Sequence, residues 1–72
     1  KGDYLMPRIR TYDIVFIRAL ADSNLNMTRA AKNISYSYNA VTWHRKRIKE
    51  NTGLDPCNFY DMVKLLKMIE GR

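Results

Sequence analysis

The stretch Asn26–Asp55, NMTRAAKNISYSYNAVTWHRKRIKENTGLD, decides the fold. It contains two helical periods with a short break between them. Asn26 can cap a helix, because its side-chain oxygen can take an N–H that no helix carbonyl reaches. Met27, Ala30, Ala31 and Ile34 then recur at i, i+3, i+4 and i+7, which is one apolar stripe. Ala30 and Ala31 are small, so another helix can approach closely there. Ser35-Tyr36-Ser37 leaves room only for a tight connection. Ser37 can cap the next helix, whose core face carries Val41 and Ile48. Advancing about 100° per residue brings Ile48 to within about 20° of Val41. Gly53 after Thr52 is a natural stop, since glycine adopts the left-handed conformation without strain.

Working outward, a further helix is expected on each side. Thr11 can cap the first, with Asp13 in its first turn where the helix dipole favours negative charge. Tyr12, Val15, Phe16, Ala19 and Leu20 form its apolar face. Asp22-Ser23-Asn24 ends it. After the turn Leu54-Asp55-Pro56, Asn58 can cap a fourth helix, and Asp61 resembles half of a capping box. Phe59, Met62, Val63, Leu66 and Ile69 are expected on its buried side. No segment alternates in the manner of a strand. The expected class is all-α, four short helices over residues 11–70. Residues 1–10, KGDYLMPRIR, have no helical period and contain Pro7, and so read as a flexible arm or tail.

Composition narrows the functional classes. The chain has 72 residues, Lys+Arg 13 against Asp+Glu 7, a formal charge of +6 and a pI near 9.8. A domain of this size buries only about 60% of the surface that its unfolded chain exposes, so the core is thin. The charge favours polyanionic partners, nucleic acid ahead of an anionic membrane surface. One cysteine, Cys57, excludes an intrachain disulfide, and with the single histidine, His44, it cannot complete a zinc site. A reducing, cytoplasmic setting is the simpler expectation. No apolar run approaches the roughly 20 residues of a membrane span. There is no glycine-rich phosphate loop, no paired carboxylates and no nucleophile–base pair. Neither an enzyme nor a cofactor or metal is expected.

A small-faced helix, a tight connection and a basic helix make the pattern of a helix-turn-helix. The first helix braces the second, which can present one face to a major groove. With Val41 at the centre of the buried face, Asn39, Trp43, Lys46 and Glu50 point away from it. Thr42 and Arg47 flank them, and Lys49 lies toward one edge. Ser37, Tyr38 and Asn39 occupy the N-terminal end, which meets base edges in this motif. Asn39 can pair bidentately with adenine, and Thr42 can bond a base or touch a thymine methyl. Lys46, Arg47 and Lys49 suit phosphates, and Tyr38 is a further phosphate contact. The expected partner is double-stranded DNA, with a recognition helix over residues 38–51.

These residues also resemble a family. The run from Asn26 to Leu66 is similar to the C-terminal helix-turn-helix of PucR-type transcriptional regulators. The matching positions are Asn26, Thr28, Ala30 and Ala31 in the first motif helix. Asn39, Ala40, Val41 and Ile48 follow in the second, and then Thr52, Gly53, Leu54 and Asp55. The first half also resembles LysR-type and Fis DNA-binding domains, but no wing-like hairpin follows Gly53. The resemblance implies a homeodomain-like or Fis-like three-helix core with an added C-terminal helix, and a role in transcription regulation. Thr28 joins the candidate DNA contacts with Ser37, Tyr38, Asn39, Thr42, Trp43, Lys46, Arg47 and Lys49. Two departures stand out. Arg45 occupies a position that is usually apolar in the family, about 40° from Val41 on the wheel. Its stem is therefore expected to pack while its head reaches solvent or an acid. PucR-type regulators also carry this module behind a large sensory region. The module alone fits a cut-out domain or a small stand-alone regulator, and no effector is implied.

Plainer roles exist for several of these residues. Trp43 could serve the core instead of a contact, and His44 reads as a packed or surface residue beside the buried stripe. Tyr36 aligns with the apolar turn residue, Cys57 reads as a small half-buried side chain, and the methionines read as gap-fillers. The rival function is a helical protein-interaction module whose basic face takes an acidic partner. Single-stranded RNA ranks third, since few aromatics sit where bases could stack. One module makes few contacts, so a homodimer is a possible partner state, with the first and fourth helices as its contacts.

Overall fold

A computed structural model describes residues 9–70 of the chain, so most of the expected arm lies outside the described residues. The protein is all-α. Its helices are α1 (Thr11–Asp22), α2 (Met27–Asn33), α3 (Tyr38–Thr52) and α4 (Phe59–Glu70), with no strand among the described residues. α1 is the central element and packs on each of the other three, while α2 also packs on α3.

Local chemistry sets most of the helix ends. The Arg29 N–H donates to Asn26 Oδ1 at 2.9 Å, and the Ala40 N–H donates to Ser37 Oγ at 3.0 Å. The Asp61 N–H donates to Asn58 Oδ1 at 3.0 Å, so three of the four expected caps form. At α1 the cap lies one residue earlier than expected: Arg10 is the N-cap and Thr11 is already helical. Asp13 reaches back to accept the Arg10 N–H at 3.2 Å. The Asp61 carboxylate accepts the Asp55 N–H at 3.0 Å, and so ties the preceding turn to the start of α4.

α1 and α2 end in the same way. Leu25 N–H donates to the Leu20 carbonyl at 2.8 Å, and Tyr36 N–H donates to the Ala31 carbonyl at 2.9 Å. Each closure needs a left-handed residue just past the helix, supplied by Asn24 (φ 59°) and Ser35 (φ 59°). α3 stops at Gly53 with φ 77°, as its sequence position implied.

The core joins Phe16, Ile17 and Leu20 of α1, Ala30 and Ala31 of α2, Val41 and Ile48 of α3, and Met62, Leu65 and Ile69 of α4. Ile9 is buried with them, so the chain preceding α1 contributes to the core and is not wholly an arm. The α2 and α3 stripes match their expected residues. The other two match in part: Phe16, Ala19, Leu20, Met62 and Ile69 are buried as expected, and the rest differ. On α1, Tyr12 and Val15 are exposed, whereas Asp13 and Ile17 are buried. The acid holds the inward position because it has partners there, described below. On α4, Phe59 is 63% exposed and Leu65 is fully buried. Among the helices α4 packs against α1 alone, so a narrow stripe of it is covered. Truncating Leu65 to Ala should therefore lower unfolding stability by about 2–5 kcal/mol. Phe59→Ala should cost less than about 1 kcal/mol. Urea denaturation followed by circular dichroism measures both, and the reverse ranking would mean α4 is docked through its other face.

Candidate nucleic-acid interface

α3 is fixed to the body of the protein by two kinds of contact. Val41 and Ile48 are fully buried and anchor it through apolar surface. Ala30 and Ala31 are buried in α2, which packs on α3, and their small side chains allow that approach. The second kind is polar and centres on Asp13, whose side chain is fully buried. His44 Nδ1 lies 2.8 Å from Asp13 Oδ1, and Arg47 donates through a terminal guanidinium nitrogen to Oδ2 at 2.6 Å. An ionised carboxylate only accepts, so Nδ1 is the His44 nitrogen that carries the hydrogen. With the Arg10 N–H, three donors converge on this one carboxylate. The His44 ring also lies near Tyr36, at 5.6 Å between centroids, and near Phe16, at 6.2 Å. His44 is thus a packed residue, and Tyr36 is half-buried against the core.

Arg47 therefore sits differently from its expected role as a phosphate contact. Its guanidinium is committed to Asp13, its Nε is buried without a hydrogen-bond partner, and its side chain is only 22% exposed. It braces α3. Arg45 shows the outcome expected of a packed stem with a paired head: Nε and a terminal nitrogen both donate to Asp55, each at 3.0 Å. Asp55 also accepts the Cys57 N–H at 3.0 Å. This two-pronged pair ties α3 to the turn that leads into α4. The Arg45 hydrogen bonds hold the Asp55 carboxyl below its ordinary value, and burial opposes them. Burial pushes the half-buried Cys57 thiol up.

The remaining candidates are exposed. Ser37, Tyr38, Asn39, Thr42, Trp43, Lys46 and Lys49 all lie on the outward side of α3 or at its N-terminus, and Thr28 is exposed in the first turn of α2. Thr42, Arg45, Lys46 and Lys49 line one shallow depression. Neither lysine makes an ion pair among the described residues, so two unpaired cations and one paired guanidinium share this hollow. Arg45 was not among the expected contacts. Its spacing from Thr42 and Lys49 is the only sequence signal that could have included it. The Thr42 hydroxyl donates to the Tyr38 carbonyl at 2.9 Å. What it offers a ligand is a lone pair and a methyl group, not the donor. Ser37 Oγ accepts the Ala40 N–H and keeps its own hydrogen to donate.

No family model matches the chain, and no curated protein or solved structure matches it either.

Two stability consequences follow from the ion pairs. Asp13→Ala strands the imidazole and guanidinium of α3 against the interior, and should cost about 3–5 kcal/mol in urea denaturation. Asp22→Ala, exposed at the far end of the same helix, should stay within about 0.5 kcal/mol. Equal effects would remove Asp13 from its central place. The second concerns pH. Asp55 is more acidic when folded than when unfolded, so its contribution is complete above the unfolded value and is lost as pH falls through the folded one. Asp55→Asn should flatten the acid limb of the stability curve below about pH 4. An unchanged acid limb would contradict this.

Proposed function

We propose that this chain is a helix-turn-helix domain that binds double-stranded DNA, with α3 as its recognition helix in the major groove. The observation that supports this is the division of α3 into two faces. Val41, Ile48, His44 and Arg47 secure it inward. Asn39, Thr42, Trp43, Lys46 and Lys49 remain exposed, with no ion pair occupying the lysines among the described residues. A helix held rigidly on one side and cationic on the other fits the width and charge of a major groove. The PucR-like pattern of residues supports the same reading and adds transcription regulation as the biological role, and the single cysteine, Cys57, fits a reducing, cytoplasmic setting. Binding is the whole activity on this account, and no chemical step is assigned.

Roles follow from the chemistry of each side chain. Lys46 and Lys49, with Arg45 beside them, would hold backbone phosphates and supply affinity rather than sequence choice. Tyr38 and Ser37 would donate hydroxyl hydrogens to phosphates at the N-terminal end. Asn39 would pair with the edge of an adenine. Thr28 would touch the backbone from α2. A single module should bind non-specific duplex on the order of 10⁻⁴ to 10⁻⁶ M at physiological salt. Two modules about one DNA turn apart, in a dimer or a longer parent chain, would give useful specificity.

Fluorescence anisotropy of a labelled duplex at several salt concentrations tests the proposal. Affinity should fall as salt rises. Lys46→Ala with Lys49→Ala should make the log–log slope shallower by about 0.9 for each phosphate that is no longer neutralised. A flat salt response, or a double variant that binds like the parent, would favour the rival module with an acidic protein partner.

A further inference from the structure

Trp43 is 54% exposed, yet its neighbours fix its position. The Arg47 guanidinium lies over its ring, 4.7 Å from the centroid. The His44 ring meets it edge-on at 5.0 Å between centroids. Both neighbours are bonded to the same buried carboxylate, Asp13. The indole is thus held by two groups that are themselves tied to the interior. In the free protein about half of it still faces water, so its apolar surface can be covered only by something that docks there. A ring already fixed loses little freedom on docking, which is the advantage of a pre-organised aromatic contact. Arg47 covers one ring face, which disfavours sandwiching between two bases and suits a one-sided contact with the exposed part of the ring.

Trp43 lies on the exposed side of α3, one turn after Asn39 and just before Lys46. The surrounding charge suits a polyanion, so duplex DNA is the occupant that this face fits. In a major groove the apolar feature presented to a helix is the C5 methyl of thymine. We infer that Trp43 is a specificity-determining contact that reads thymine methyl groups. This rests on the DNA-binding reading above. The inferred role extends to Asp13, which positions the reader without touching DNA, through Arg47 and His44.

The test uses two labelled duplexes of alternating A·T sequence, identical except that one carries uracil in place of every thymine. Only the methyl groups differ. Anisotropy titrations at low salt should show the protein binding the thymine duplex about fourfold more tightly for each methyl covered. Trp43→Ala should lose most of the preference between the two duplexes, with an unchanged salt slope, and Trp43→Phe should keep a larger part of it. Circular dichroism checks that both variants fold. No preference in the parent protein overturns the inference while leaving DNA binding intact, as does a preference that is undiminished in Trp43→Ala. Failure of either duplex to bind with a salt slope overturns both.

Discussion

The orientation of α3 depends on one buried carboxylate. Asp13 is withdrawn from water on α1, and an unpaired charge there would cost several kcal/mol. It is accommodated because three donors converge on it, two of them from α3, His44 and Arg47. These two residues are about one helical turn apart and lie between the apolar anchors Val41 and Ile48. Apolar contacts alone would let α3 slide or roll at modest cost, since burial is not directional. Two hydrogen bonds to a single fixed carboxylate restrict both motions. The same pair of side chains then positions Trp43, so the interior charge and the exposed ring belong to one connected arrangement.

A second polar tie leaves α3 from between His44 and Arg47. The Arg45–Asp55 pair joins it to the turn before α4, where Asp61 accepts the Asp55 N–H. α4 itself packs on α1, not on α3. The exposed side of α3 is therefore left clear by the rest of the described chain. Phe59 and Tyr60 stay exposed in the first turn of α4, with their rings 5.3 Å apart.

What the sequence made legible was local. The caps at Asn26, Ser37 and Asn58 act over three residues, and the Gly53 stop depends on one dihedral angle, so both can be read from neighbouring letters. The α2 and α3 stripes were also readable, because each helix lies against well-covered surroundings and its apolar residues have a single phase. α1 and α4 were legible only in part, for physical reasons. The sequence shows Asp13 only as a first-turn acid favoured by the helix dipole, because its side-chain partners lie 31 and 34 residues away. Once it turns inward, Ile17 turns in with it, while Tyr12 and Val15 turn out. α4 has apolar residues around more of its circumference than α1 can cover, so the pattern alone did not select Leu65 over Phe59. Among the site residues, Lys46, Lys49 and Trp43 fell on the exposed side as the wheel implied. Arg47 did not, since no local feature reveals that its guanidinium has an acid to reach.

The central claim is that the exposed side of α3 is the surface that meets DNA. Amide chemical-shift mapping of the ¹⁵N-labelled protein during titration with a short duplex tests it most directly. The account predicts shifts concentrated from Ser37 to Lys49, together with the Trp43 indole N–H, and little change along α4. Shifts centred on Phe59, Tyr60 and the rest of α4, or none at all at duplex concentrations above the expected binding range, would contradict it.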